Sequence, residues 1–186
     1  HTAIRRQRQM CIRDSGKIVL VTGGAGGIGS VISESFAEQG AKVIVHYKHS
    51  KEKAEIIAKK IKGVAIYADL TDSEQTKELF DDIIDKEGKI DICIANAGKY
   101  PKDYAPLWEI GIERWNNTIS TNLSLTYNTS RYFLKHVAET KKGSLVLIGS
   151  TAGIYGEAGH ADYAAAKGAI TSGLLRTLKN DAAQIG

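Results

Sequence analysis

No apolar run in this 186-residue chain approaches the ~18 residues a membrane-spanning helix needs. Nothing in it therefore reads as spanning a membrane. The cysteines are few, Cys11 and Cys93, and they have no metal-ligand spacing. Cys93 falls in an apolar stretch and reads as a small buried core residue, so no metal site is expected. So few thiols suit a reducing cytosol, and a cytoplasmic location is expected. Net charge is low, at +4, and much of the excess lies in the first 17 residues. There Arg5, Arg6, Arg8, Arg13 and Lys17 face one acid, Asp14. The remainder is nearly neutral, which gives no support to binding of nucleic acid or a membrane surface. Repeats, low-complexity tracts and a second domain are also absent, so one domain is expected.

What is present is the composition of a globular chain, 42% hydrophobic and 25% charged. Residues 1–15 lack apolar periodicity. The string Gln9-Met10-Cys11-Ile12-Arg13-Asp14-Ser15 reads as translated adaptor sequence. Residues 1–15 are therefore expected to be non-native or disordered, and 16–186 to form the domain.

From Lys17 onward short apolar runs alternate with helical patterns. Strands are expected at Ile18–Val21, Lys42–His46, Val64–Ala68, Asp91–Ala95 and in a segment ending at Gly149. The first helix is expected to bury Ile28, Val31, Ile32, Ser35 and Phe36, and to stop at Gly40. The second presents Ala54, Ile57, Ala58 and Ile61. The third begins with a Thr71–Glu74 capping box and buries Leu79, Phe80, Ile83 and Ile84. A long helix is expected over Glu113–Ala138, and a last one from about Ala161 to the end. Strict alternation argues for an α/β fold: a doubly wound, Rossmann-like parallel sheet with helices on both faces.

Two groups of residues carry chemistry. The first is Thr22-Gly23-Gly24-Ala25-Gly26-Gly27-Ile28-Gly29, directly after the first strand. Glycines let the backbone turn sharply and approach a pyrophosphate, which then meets the N-terminus of the following helix. The spacing Gly23-x-x-x-Gly27-x-Gly29 is related to the common dinucleotide fingerprint but not identical to it. No Gly-Lys-Ser/Thr follows, which argues against a Walker loop and nucleotide hydrolysis.

The second group is Ser150, Tyr163 and Lys167. A helix turns every ~3.6 residues, so Tyr163 and Lys167 share a face. A phenol with an ordinary pKa of about 10 is a poor base at neutral pH, and a nearby ammonium favours the phenolate. The pair is thus suited to pass a proton to or from a substrate oxygen. Ser150 ends an apolar strand and its hydroxyl is placed to hold that oxygen. Tyr-x-x-x-Lys alone is a weak signal, since any surface helix can carry it; the serine and the glycine loop give it weight.

In order, these motifs resemble the short-chain dehydrogenase/reductase family, nearest to its 3-oxoacyl-carrier-protein reductase-like branch. The family's Thr-Gly-x-x-x-Gly-x-Gly matches Thr22, Gly23, Gly27 and Gly29, with Ile28 between. Its adenine-contacting acid matches Asp69, followed by Leu70, and its Asn-Ala-Gly turn matches Asn96, Ala97 and Gly98. Its catalytic asparagine matches Asn122, and Ser150, Tyr163 and Lys167 complete the tetrad. The resemblance implies an NAD(P)H-dependent oxidoreductase that interconverts a carbonyl and a secondary alcohol by hydride transfer. Tyr163 would be the acid in reduction and the base in oxidation. Lys167 would bind the nicotinamide ribose, Ser150 orient the carbonyl, and Asn122 hold a relay water. Local alternatives stand beside these roles: Asn122 as a helix cap or kink, Asp69 as a helix-terminal charge, Asn96 as a turn residue.

At the end of the second strand, where an acid would repel a 2′-phosphate, the chain has Tyr47 and then Lys48. NADP(H) is expected over NAD(H). Residues 151–162, mostly small or apolar, are expected to face a small-molecule carbonyl or alcohol with an apolar body. The resemblance also implies strand order 3-2-1-4-5 with an exposed fifth strand, the family's last strands and substrate lid missing, and a poorly stable or inactive fragment. It further implies a parent homodimer or homotetramer formed through the two long helices. A non-catalytic NADP-binding sensor, or an epimerase or dehydratase of the extended family, are the competing readings.

Overall fold

The structure is a computed structural model that describes residues 14–185. Most of the segment expected to be non-native, residues 1–13, lies outside them. The elements are β1 (Ile18–Val21), α1 (Gly27–Glu38), β2 (Lys42–Tyr47), α2 (Lys51–Ile61), β3 (Val64–Tyr67), α3 (Ser73–Glu87) and β4 (Ile92–Ala95). A 3₁₀ turn (Leu107–Glu109) then leads to α4 (Ile112–Ile119), a π-helical turn (Ser120–Ser124) and α5 (Leu125–Thr140). Last come β5 (Ser144–Leu147), α6 (Ala152–Tyr155), α7 (Ala161–Gly168), a second π-helical turn (Ala169–Leu174) and α8 (Leu175–Ala182).

All five strands are parallel, in the order β3-β2-β1-β4-β5. Alternate residues of a strand point to opposite faces, and both faces are covered. Ile18, Leu20, Ile44 and Cys93 pack with Phe80 and Ile83 of α3 and Phe133 and Val137 of α5. Val19, Val21, Val43, Val45 and Ile94 pack with Ala54 and Ile57 of α2, and with Ile32 and Phe36 of α1. β1 is buried throughout because it lies in the middle of this sandwich. β5 lies at the edge of the sheet, and its Val146 is 43% exposed.

Three expectations fail locally. Ile28 and Val31 are 64% and 67% exposed, and Ser35 is also exposed. α1 instead buries Gly29 and Ser33. Small residues are needed there because the helix starts on the glycine loop, and Ser33 Oγ is satisfied by donating to Gly29 O at 2.8 Å. The cap of α3 is Asp72, not Thr71: its carboxylate accepts from the amides of Glu74 (2.8 Å) and Gln75 (3.2 Å). Thr71 turns back to bond Asp69. Finally, the two late helices are each interrupted by a π-helical turn, a feature that hydrophobic periodicity does not encode. The strand ends also differ from expectation by one or two residues.

Among the described residues, no helix is long and apolar enough to cross a membrane.

Candidate active site

The C-terminal ends of β1, β2, β3 and β4 surround a cavity of about 560 Å³. Gly23, Gly27, Ile28, Gly29, Tyr47, Lys48, Asp69, Leu70, Asn96, Ala97 and Gly98 all line it. Of the residues expected at the cofactor, Thr22, Tyr163 and Lys167 do not line it. Thr22 is fully buried and does not line the cavity. Its hydroxyl donates to Ile94 O at 3.2 Å and accepts from the amides of Asn96 (2.9 Å) and Ala97 (3.0 Å). Thr22 therefore joins β1 to β4 from beneath the loop. Asn96 completes the seam by donating from Nδ2 to Thr22 O at 2.9 Å.

A dinucleotide fits this arrangement. A Cβ at Gly29 would overlap the Gly23 carbonyl and lie 2.8 Å from Asn96 Nδ2, so only glycine allows the helix to start so close to the turn. The first turn of α1 has no side-chain cap and no acid. Gly27, Ile28 and Gly29 line the cavity there, so the positive end of the helix dipole adjoins it, the arrangement that binds a phosphate group.

At the ends of β2 and β3, Lys48 Nζ pairs with Asp69 Oδ2 at 2.6 Å. Asp69 Oδ1 accepts from Thr71 N (3.0 Å) and Thr71 Oγ1 (2.7 Å). Burial alone would raise the Asp69 pKa, but the bonds from Lys48 and Thr71 hold it below its ordinary value.

The other rim of the cavity leads to Asn122 and Lys167. Gly98 lies against both Asn122 and Lys167: a Cβ there would come within 2.9 Å of Asn122 Oδ1 and 3.6 Å of Lys167 Nζ. Asn122 is fully buried in the first π-helical turn. Its Oδ1 accepts from Lys99 N (3.2 Å), and its Nδ2 donates to Lys99 O (2.9 Å) and Thr118 O (3.0 Å). Both donors are used, and Oδ1 keeps one lone pair. Lys167 is 4% exposed, donates from Nζ to Ile148 O at 2.8 Å, and lies 5.8 Å from the centre of the Tyr163 ring. Burial lowers its pKa.

Ser150 sits at the turn into α6, where its Oγ accepts from Ala152 N at 3.2 Å. The hydroxyl proton is left to donate elsewhere. A Cβ at Gly153 would lie 2.5 Å from Gly168 N and from Lys167 C, so this glycine lets the serine turn settle onto α7.

Three features escaped sequence reading. Asp162, next to Tyr163, is fully buried and bonds Arg114 Nε (3.0 Å) and Thr118 Oγ1 (2.8 Å). Arg114 also donates to Asp103 O (2.8 Å) and Gly159 O (3.1 Å). Burial would raise the Asp162 pKa, yet Arg114, Thr118 and the Tyr163 amide hold it down. Next, Tyr100 meets the Tyr163 ring edge-on at 5.0 Å, stacks on His160 at 4.7 Å, and donates its hydroxyl to Glu157 at 2.7 Å. Last, His46 lies between the glycine loop and β3. The one available signal was a charged residue placed beside Tyr163. As a further correction, the 151–162 segment does not face a substrate along its whole length. Ala152, His160 and Asp162 are buried, whereas Ile154 and Tyr155 are 64% and 84% exposed.

Comparison with known proteins agrees with this geometry. Residues 17–186 match the family model of the short chain dehydrogenases. The chain belongs to that family. A 3-oxoacyl-acyl-carrier-protein reductase of Thermotoga maritima is 34% identical over 171 residues, covering 89% of this chain and 68% of that protein. A hydroxynaphthalene reductase of Aspergillus fumigatus is 35% identical over 172 residues, 90% of this chain and 61% of its own length. This short chain dehydrogenase therefore spans roughly two thirds of these relatives. The crystal structure of an NAD⁺-bound xylitol dehydrogenase superposes with a TM-score of 0.86 at 27% identity, covering 94% of this chain and 68% of that one.

Proposed function

We propose that this oxidoreductase interconverts a carbonyl and a secondary alcohol, with Tyr163 as the general acid/base. The observation that carries the reading is the buried Lys167 cation. It shares a helix face with Tyr163, is fixed to Ile148 O, and abuts Gly98 on the rim of the glycine-loop cavity. A bound nicotinamide would supply or accept the hydride. The remaining steps fall to the protein. Ser150 donates its free hydroxyl proton to the substrate oxygen and orients it. In reduction Tyr163 gives its proton to that oxygen as the carbon–oxygen double bond becomes single. Lys167 stabilises the phenolate that results, and Asn122 offers the remaining Oδ1 lone pair to a water that returns a proton.

NADP(H) is the favoured cofactor. Lys48 and Ser50 line the adenosine side, and no acid stands at Tyr47 to repel a 2′-phosphate. The exposed Ile154 and Tyr155 beside the serine turn suit a substrate with an apolar body. The helical run α4–α5 is the proposed contact of a homodimer or homotetramer, with Ile112 and Tyr127 70% and 50% exposed.

The test is a panel of ketones with NADPH or NADH, followed at 340 nm. Wherever the chain turns over a ketone, Tyr163→Phe should lower kcat by about 10²–10⁴-fold while cofactor affinity holds. Turnover in Tyr163→Phe equal to the unmodified chain rejects the acid/base assignment.

A further inference from the structure

His46 is the last fully buried residue of β2, 2% exposed, and its imidazole spans two loops. Nδ1 accepts from the amide of Gly23 at 3.0 Å. Nε2 lies 3.0 Å from Ala68 O. A carbonyl only accepts, so Nε2 carries the proton and Nδ1 offers its lone pair. This assigns one tautomer of the neutral ring. The main chain of the same residue takes a second loop amide, since Gly24 N donates to His46 O at 2.9 Å. Gly26 N is also engaged, on Gly23 O at 2.9 Å. The amides of Gly23, Gly24 and Gly26 are therefore spent inside the protein. A pyrophosphate at this loop is left to the amides of the first turn of α1.

We propose that His46 is a positioning residue for the pyrophosphate-binding turn: its Nδ1 fixes Gly23, and through Gly23 the start of α1, in the shape that receives a dinucleotide. The mechanical link is short. Gly23 has φ +61°, a left-handed conformation that its amide bond to His46 helps to hold. The Gly23 carbonyl is the atom that a Cβ at Gly29 would overlap, so Gly23 and the first turn of α1 move together. The Nε2 bond to Ala68 O sets the ring against the residue before Asp69, so the same imidazole spans from the adenosine side to the phosphate side. Holding the ring neutral matters, because a proton on Nδ1 would meet the Gly23 N–H donor to donor. Burial does this by pushing the His46 pKa down to about 4, against the raising effects of the Ala68 bond and of Asp69.

The inference rests on the reading of this cavity as a nicotinamide-cofactor site, and the experiment separates the two. Asparagine reproduces the Nδ1 side of histidine and glutamine the Nε2 side. NADPH dissociation constants are measured by titration calorimetry at pH 7.5 for the unmodified chain and for His46→Asn, His46→Gln and His46→Leu. Adenosine 2′-monophosphate, which has no pyrophosphate, serves as the second ligand. Melting temperatures of the free proteins establish that each variant is folded.

His46→Asn should bind NADPH within about threefold of the unmodified chain. His46→Gln and His46→Leu should bind it about tenfold or more weakly, the scale of one hydrogen bond. All three should bind adenosine 2′-monophosphate unchanged. NADPH affinity unchanged in the folded glutamine variant overturns the proposal, as does an equal loss for both ligands. If His46→Leu fails to fold, the asparagine and glutamine pair still decides. Absence of any NADPH or NADH binding by the unmodified, folded chain overturns the cofactor reading itself, and this proposal with it.

Discussion

The cofactor side and the Tyr163 side of this site are held in place by different means. On the cofactor side the parts sit at the ends of adjacent central strands. Thr22, Asn96 and His46 bind main-chain atoms of neighbouring loops, and β1 beneath them is wholly buried. On the Tyr163 side, Ser150 follows the edge strand β5. Tyr163 sits on a helix of eight residues whose first turn is tied down by a side-chain ion pair, Arg114 to Asp162. Side-chain bonds to main-chain atoms at the ends of neighbouring strands place the first group. A side-chain ion pair and a lysine-to-carbonyl bond place the second. Damage to the first should appear in cofactor affinity, and damage to the second in kcat.

The widest break in this comparison should come from Asp162→Ala. It leaves the Arg114 guanidinium, 23% exposed in its side chain, facing two carbonyls without its carboxylate. Breaking a buried pair from one side costs about 3–5 kcal/mol. The urea midpoint should fall accordingly. In whatever fraction stays folded, kcat should drop because the start of α7 carries Tyr163, while NADPH affinity should hold. Asp162→Asn retains a bond to Thr118 Oγ1 and should lose less. An unchanged urea midpoint in Asp162→Ala would show that the ion pair does not anchor α7.

A second break uses acid. His46 has its pKa lowered from 6.5 to about 4. Between these values the unfolded chain binds a proton that the folded chain does not, so stability rises with pH through that window. The contribution is full above pH 6.5 and is lost as pH falls to about 4. Its full size is about 3 kcal/mol. Asp69 and Asp162, whose pKa values are also lowered, contribute above the ordinary carboxylate pKa of about 3.9 and lose that contribution below it. The two windows are therefore separate. Urea unfolding from pH 7 to pH 4 should show the His46 slope, and His46→Asn should flatten it. A slope that survives the substitution assigns the acid sensitivity to another group.

What could be read from the sequence depended on how close together in the chain the residues of each motif lie. The glycine loop, the Asn96-Ala97-Gly98 turn and the Tyr163–Lys167 pair are contiguous or one helical turn apart, and the glycine loop and the turn line one cavity, with Lys167 next to Gly98 at its edge. The strands and the parallel sheet followed from unbroken apolar runs and alternation, and the order of the strands from the family resemblance. Ile28 and Val31 misled because helical periodicity gives a face but not the partner, and here close approach to the glycine loop selects Gly29 and Ser33 for the buried face. The π-helical turn that carries Asn122 leaves no hydrophobic signature. Its surrounding Thr and Ser side chains bond back to carbonyls one turn earlier, as Thr126 Oγ1 does to Asn122 O at 2.7 Å. Arg114 and Asp162 lie 48 residues apart, and no local pattern joins them.

The smallest effect tests the outer edge of the cofactor side, where screening by water is strongest. Lys48 Nζ is 2.6 Å from Asp69 Oδ2, in a pair with side chains 35% and 22% exposed. A 2′-phosphate arriving there would compete with Asp69 for the same ammonium, which limits what Lys48 contributes to cofactor choice. Exposed pairs are worth about 0–1 kcal/mol, so Lys48→Ala should lower the NADPH-to-NADH ratio of kcat/KM by about fivefold or less. Lys48→Asp adds repulsion to the lost attraction and should lower the ratio by about tenfold or more. Asp69→Asn should move it the other way by releasing Lys48, although adenine then loses an acceptor with either cofactor. Raising salt should shrink all three shifts, since they act within about one Debye length of bulk water. A Lys48→Asp ratio equal to that of the unmodified chain would place 2′-phosphate recognition elsewhere, and Ser50 is the next residue to substitute.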